Sequence, residues 1–199
     1  MPDLEPEQNT AAETSGTTPA ERRNPALIAT AVALPVALVI GIIAAAVMAG
    51  RSPAIESVAL GPVPAPEADS AECATLMAAL PDKLGDYTRA ELVEPAPEAT
   101  AAWQPAGEGE PLVLRCGLDR PAEFDQASAL QVINGVQWFE ISGESAGIDA
   151  SSWFAVDRGV YVALTVPNGV GPTPLQDISD TVAAALPQQP LDPAPVVVP

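Results

Sequence analysis

The chain has 199 residues, with 26 acidic side chains against 8 basic ones and no histidine, which gives a net charge of −18. A surface this acidic repels phosphate polymers, which argues against nucleic acid as a partner. The absence of histidine removes Ser-His-Asp and Cys-His catalysis and every histidine-ligated metal site.

Residues 1–24 are polar and acidic and show no apolar period. Such a segment cannot bury enough surface to offset its ordering entropy, so we predict a disordered cytoplasmic tail. The tail is either inert or a docking peptide.

Residues 25–50 carry no charged side chain. A bilayer core needs roughly 20 apolar residues in a helix, and every backbone amide in lipid must be satisfied within the segment. The segment therefore predicts a single transmembrane helix. The competing interpretation is a cleaved signal peptide, whose apolar region usually runs only about 7–15 residues.

The charges that flank this helix predict its orientation. Arg22 and Arg23 precede it and Arg51 follows it, so the positive-inside rule places the N-terminus in the cytoplasm. We therefore expect a plasma-membrane protein whose C-terminal domain lies outside the cytoplasm.

Small residues recur every four positions along the predicted helix. Rows of this kind allow two membrane helices to approach closely, so a second transmembrane helix is one candidate partner. A chance row in an alanine-rich helix is the alternative. The residues concerned are Ala33, Ala37, Gly41 and Ala45.

Proline divides the rest of the chain. The proline-rich residues 51–69 are predicted to be an extended spacer that holds the outer domain away from the bilayer. One folded domain is expected over residues 70–187, followed by a mobile, proline-rich tail over residues 188–199. Residues 52–199 contain 5 basic and 21 acidic residues, a net charge of −16.

The domain begins with a predicted helix that Ser70 caps and Pro81 ends, and Cys73, Leu76, Met77 and Leu80 are spaced along one helical face. Residues 86–93 are predicted to form a strand. Residues 94–111 contain four prolines and are predicted to be a long loop that carries Trp103.

The second half of the domain reads as strands followed by a helix. Leu112–Leu118 alternates as a strand, with Leu112, Leu114 and Cys116 on one face and Val113 and Arg115 on the other. Two hairpins are predicted, over residues 129–141 with a turn at Asn134-Gly135, and over residues 151–166 with a turn at Asp157-Arg158-Gly159.

The last predicted helix has a Thr173/Gln176 capping box, Pro174 as its first helical residue, and Leu175, Ile178, Val182 and Leu186 on one face. These elements predict an α+β fold, a small antiparallel sheet with helices on one face, preceded by a single transmembrane helix.

The two cysteines, Cys73 and Cys116, are predicted to form a disulfide, because an even count in an oxidising compartment indicates one. The bridge would stabilise the domain by roughly 4 kcal/mol. They do not form a C-x-x-C pair, and without histidine a zinc site or a catalytic thiol has little support.

Candidate contact residues for a ligand or partner are Arg115, Trp103, Asp157 and Arg158. Arg115 in an apolar strand either pairs with an acid such as Asp157 or binds an anionic ligand. The tryptophans either line a stacking surface or belong to the core. The Asp157-Arg158-Gly159 stretch is also typical of a tight turn. No phosphate-binding or calcium-binding motif occurs, so no cofactor, metal or catalytic residue is predicted.

These residues resemble a known family. The order Cys73-x-x-Leu76, Leu114-Arg115-Cys116-Gly117, Asp157-Arg158 before Tyr161-Val162, and Ile178-Ser179 is similar to actinobacterial membrane-anchored proteins of the domain of unknown function (DUF) family 3515. The resemblance implies an envelope location and a conserved cysteine pair. It implies no reaction.

The leading hypothesis is a single-pass cell-envelope protein whose outer domain is a non-catalytic binding module stapled by one disulfide. The alternatives are a carboxylate-dependent envelope hydrolase and a ligand sensor that signals through its anchor. The sequence specifies neither the ligand nor the oligomeric state.

Overall fold

A computed structural model describes residues 38–43, 45 and 57–196. The chain divides into two compact units, Met1–Ser52 and Pro53–Pro199. In the first unit, the described residues are helical and exposed.

Most of the predicted membrane helix, and all of the predicted tail before it, lie outside the described residues. So do Ala33 and Ala37 of the small-residue row, whereas Gly41 and Ala45 are described. Among the residues that the structure covers, no helix combines the length and the apolar character needed to cross a bilayer.

Over residues 57–196, the second unit is one eight-stranded antiparallel sheet with two α-helices, in the strand order β1-β2-β3-β4-β8-β7-β6-β5. The α+β prediction is confirmed, but the sheet is larger than the small one expected. The elements are α1 Ala71–Ala79, β1 Lys83–Leu84, β2 Tyr87–Ala90, β3 Thr100–Pro105, β4 Leu112–Leu118, β5 Gln131–Ile133, β6 Val136–Ser142, β7 Ala150–Ala155, β8 Tyr161–Pro167 and α2 Thr173–Ala185.

Both helices pack on the same face of the sheet. Leu76 of α1 and Ile178 of α2 are fully buried in one apolar cluster with Leu114 and Cys116 of β4. The predicted alternation of β4 is therefore confirmed, because Leu112, Leu114 and Cys116 all belong to this helix-side core.

The opposite face of the sheet is covered by irregular segments rather than by helices. Phe124, between β4 and β5, packs against Phe139 and Val156. The ring centroids of Phe124 and Phe139 are 5.4 Å apart. Val58 packs against Ala90 and Ala102 further along the same face.

Residues 57–69 cross this second face, and we call them the crossing segment. The Val58 amide donates to the Glu91 carbonyl at 2.8 Å, and the Glu67 amide donates to the Gly117 carbonyl at 3.0 Å. Over this range the predicted spacer is packed against the domain. The prolines lack N–H groups, but Val58 before Pro62 and Glu67 after Pro66 still form backbone hydrogen bonds with the domain, and Val58 adds apolar burial.

The predicted mobile tail is also packed, over its described residues 188–196. Ala194 forms a bridge with Asp125, and the Gln126 amide donates to the Ala194 carbonyl at 3.0 Å. Asp192 forms an ion pair with Arg120 at 3.2 Å. The tail is therefore held by backbone pairing and by one exposed ion pair.

The prediction of a loop over residues 94–111 is wrong in its middle, where β3 spans Thr100–Pro105. Pro105 is the last residue of the strand and Pro111 directly precedes β4. Proline is tolerated at strand ends, so these residues mark the boundaries of a strand and not a continuous loop. The predicted strand 86–93 corresponds to β2, which is shorter and spans Tyr87–Ala90. The preceding strand β1 was not predicted.

Both hairpins are confirmed. Asn134 and Gly135 have φ values of 47° and 81°, the left-handed conformation that a two-residue hairpin turn needs. β7 and β8 pair around the second turn, with Ala155 opposite Val162.

The helix ends show one confirmed cap and one error. The Ser70 side chain accepts from the Cys73 amide at 3.2 Å, as predicted. At α2, however, Pro172 occupies the N-cap position without a side-chain cap, so the helix begins before the predicted capping box. The predicted apolar face of α2 is confirmed, because Leu175, Ile178, Val182 and Leu186 are buried.

The crossing segment provides the first prediction. Gly117 has a φ of 83°, and a Cβ there would clash with the backbone of Glu67 and Ala68. Gly117→Ala should therefore displace the crossing segment and destabilise the domain by about 1–3 kcal/mol beyond the backbone strain. Chemical denaturation measures the loss, and hydrogen exchange should show faster exchange at the Glu67 amide.

Gly169→Ala is the matched control. Gly169 has nearly the same φ, 81°, but nothing lies within 4 Å of its added Cβ. The free energy of unfolding of this variant should fall only by the cost of placing alanine in the left-handed conformation, about 1–2 kcal/mol. Hydrogen exchange at the Glu67 amide should not change. Equal losses in the two variants would contradict the crowding at Gly117.

Candidate functional site

A cavity of about 250 Å³ lies on the sheet face opposite the helices. The crossing segment forms one wall, and β4 and the loop before β3 form the others. Most of its lining is apolar. The lining residues are Pro62, Val63, Ala65, Ala68, Pro97, Glu98, Thr100, Arg115 and Leu118.

Arg115 is the one basic residue in this lining. Strand alternation turns it away from Cys116 and the helix-side core, so the half-buried guanidinium faces the crossing segment. Its Nη2 donates to the Gly61 carbonyl at 3.1 Å. Burial lowers the pKa of the Arg115 guanidinium from its ordinary value, although an arginine remains charged at any physiological pH.

Arg115 forms no ion pair with any carboxylate in the described part of the chain. The ion pairs found there are Arg120–Asp192 and Arg158–Asp157. The predicted alternative in which Arg115 pairs with Asp157 is therefore wrong. Asp157 is satisfied by its own sequence neighbour, and Arg115 instead donates to the Gly61 carbonyl.

Asp157 and Arg158 form a buried ion pair between β7 and β8, with 0% and 3% of their side chains exposed and 3.0 Å between Arg158 Nη1 and Asp157 Oδ2. Arg158 Nη2 also donates to the Gly135 carbonyl at 2.7 Å. Gln188 Nε2 donates to Asp157 Oδ2 at 3.3 Å. These side chains tie the turn to a neighbouring hairpin and to the C-terminal segment, and as they lie they offer little surface to a partner.

Trp103 is fully buried in the helix-side core, where its Nε1 donates to the Pro81 carbonyl at 3.0 Å. The Arg89 guanidinium lies 4.9 Å from the centroid of its ring. Trp138 is equally buried, and its Nε1 donates to Ser179 Oγ at 2.9 Å. Both tryptophans therefore belong to the core and do not line a stacking surface.

The predicted disulfide between Cys73 and Cys116 is present and fully buried. It joins α1 to β4, and its Cα atoms are 5.6 Å apart. Arg115 thus lies on a strand that is covalently attached to a helix on the other side of the sheet.

Sequence reasoning missed the rest of the cavity. Four of its nine lining residues belong to the crossing segment, which the proline content had assigned to a spacer: Pro62, Val63, Ala65 and Ala68. Thr100 and Glu98 were assigned to a loop. The one available signal was Arg115 itself, a charged side chain on the second face of an otherwise apolar strand.

Residues 32–191 match the family described as "Protein of unknown function (DUF3515)". The match covers more than half of the chain, so the protein belongs to this family. Comparisons with curated proteins and with solved structures found no match.

The buried ion pair provides the second prediction. Asp157→Asn leaves the Arg158 guanidinium buried without its counter-charge, so the free energy of unfolding should fall by about 3–5 kcal/mol. Denaturant unfolding measures the change.

Asp192→Asn is its control, because the Arg120–Asp192 pair is exposed, with 38% and 84% of its side chains accessible. An exposed pair contributes at most about 1 kcal/mol. A comparable loss of free energy of unfolding in both variants would show that burial does not increase the cost of breaking the Asp157–Arg158 pair.

Proposed function

We propose that this protein is a single-pass plasma-membrane protein of the cell envelope. In this proposal residues 25–50 are the anchor, the N-terminus is cytoplasmic, and the outer domain is a non-catalytic binding module. Its binding site is the Arg115 cavity, and its ligand carries an anionic group. The observation that carries the binding role is a half-buried guanidinium in a concave, mostly apolar cavity.

The chemistry of Arg115 supports this assignment. A guanidinium has five N–H donors in a planar fork that matches a carboxylate or a phosphate. One of these donors contacts the Gly61 carbonyl, and no carboxylate of the described chain pairs with the remainder. A buried charge is costly unless it is paired, so an anionic ligand would improve the environment of this side chain.

The size and lining of the cavity support a small ligand. Ligand pockets usually have volumes of about 300–1,000 Å³ and are mostly apolar with a few polar groups that orient the ligand. At about 250 Å³ this cavity is slightly smaller than that range, which favours a small ligand. It contains one carboxylate, Glu98, so it does not provide the pair of acids that the hydrolase alternative requires.

A sensor is the second candidate, and one observation favours it. The crossing segment contributes four lining residues of the cavity and directly follows the part of the chain that contains the proposed anchor. A ligand in the cavity would contact this segment and would favour its packed position, since a ligand stabilises the state that it binds.

Residues 38–43 and 45 are helical, and they lie within the uncharged run of residues 25–50, which supports the proposed anchor. A topology experiment tests it. Alkaline phosphatase fused after Pro199 should be active in cells, because the enzyme needs an oxidising compartment, and a cytosol-dependent reporter at the same position should be inactive. The reverse pattern would contradict the proposed orientation.

Binding is tested by calorimetry on the full chain in detergent micelles. N-acetylalanine should bind saturably, and its uncharged amide should not. Arg115→Gln should weaken the binding of N-acetylalanine by about 10- to 100-fold, the usual contribution of hydrogen bonds to charged groups.

Lys83→Gln is the charge-matched control, since Lys83 is exposed on β1 and does not line the cavity. It should leave the affinity unchanged. If the amide binds as tightly as the acid, or if the two variants behave alike, Arg115 is not the ligand contact.

A further inference from the structure

The cavity contains one cation and one anion that do not pair with each other. Arg115 and Glu98 both line it, and neither belongs to the ion pairs found among residues 57–196. This arrangement offers a contact to each end of a ligand that carries both charges. The inference that follows rests on the proposed binding function of this cavity.

We propose that the ligand is a zwitterion, an amino acid or a short peptide with small apolar side chains. Its carboxylate contacts the Arg115 guanidinium and its ammonium group contacts the Glu98 carboxylate. The small residues of the crossing segment enclose the apolar body between the two ends.

The backbone around Glu98 holds the acidic end of the site in place. Thr100 Oγ1 donates to the Glu98 carbonyl at 3.0 Å, and the Cys116 amide donates to the Ala99 carbonyl at 3.0 Å. The second bond connects the Glu98 loop to the strand that carries Arg115. The backbones of the two charged residues are therefore attached to the same part of the sheet.

The charge of the domain selects against ligands with a net negative charge. Residues 52–199 have 5 basic and 21 acidic residues, a net charge of −16, and this field repels anions at long range. A zwitterion has no net charge, so it approaches without this repulsion. It still presents a carboxylate to Arg115 at short range.

The remaining lining selects the body of the ligand. Six of the nine lining residues are apolar, and they are small or rigid: Pro62, Val63, Ala65, Ala68, Pro97 and Leu118. A cavity of about 250 Å³ with mostly apolar walls suits a ligand whose side chains are small and apolar.

Three forms of one dipeptide test the inference by calorimetry on the full chain in micelles. Alanylalanine carries both charges, N-acetyl-alanylalanine only the carboxylate, and alanylalanine amide only the ammonium. We expect the zwitterion to bind about 3- to 10-fold more tightly than the acetylated form, because the exposed Glu98 contact is partly screened. The amide should bind weakest.

Variants assign the two ends of the ligand. Glu98→Gln should make the zwitterion and the acetylated form bind equally, whereas Glu91→Gln, which removes the same charge from an exposed residue outside the cavity, should preserve the difference. Arg115→Gln should weaken both. Arg115→Lys keeps the charge and should lose less affinity, and thermal unfolding identifies any variant that fails to fold.

The outcomes separate the two proposals. If the acetylated form binds as tightly as the zwitterion to the unaltered protein and Arg115→Gln weakens both, the zwitterion inference fails and the anion-binding function stands. If no form binds, or if the folded Arg115 variants bind as the unaltered protein does, both proposals fail.

Discussion

The structure depends on covering both faces of one eight-stranded sheet. The helix-side face is covered by α1 and α2, which the buried disulfide and the Ile178 and Leu76 side chains hold in place. The other face carries Val113, Phe139 and Phe154, and apolar side chains exposed there would be costly. Extended segments cover it, namely residues 57–69, 119–130 and 187–196. The cavity that contains Arg115 lies between the first of these segments and the sheet.

Polar anchors hold these segments in addition to the burial of Val58 and Phe124. Arg115 donates to the Gly61 carbonyl of the crossing segment. Asp157 accepts from the Gln188 side chain, and its carbonyl accepts from the Gln189 amide at 2.9 Å. Buried Arg158 Nε is without a hydrogen-bond partner in the described structure, so this network tolerates one unsatisfied donor. The disulfide, in contrast, acts mainly on the unfolded chain and is expected to contribute roughly 4 kcal/mol.

Two of the basic residues in this acidic domain are used within the fold as ion-pair partners, Arg120 and Arg158. Arg89 lies over the Trp103 ring, and Lys83 is exposed. Arg115 differs because it faces a cavity. In the proposed function Arg115 therefore both anchors the crossing segment through Gly61 and contacts the ligand, and Cys116 attaches its strand to α1 on the other face.

The elements whose signals are local could be predicted from the amino-acid sequence alone. The period of two along Leu112–Leu118, the turn residues Asn134-Gly135 and the helical spacing of α1 and α2 act over a few residues, and so they could be read directly; the cysteine count likewise predicted the disulfide. Tertiary structure decided where the proline-rich segments lie, because proline removes a local donor but does not prevent neighbouring residues from pairing with a distant strand. It also decided which acid pairs with which arginine and formed the cavity, since residues 62–68 and Arg115 meet only across the folded sheet.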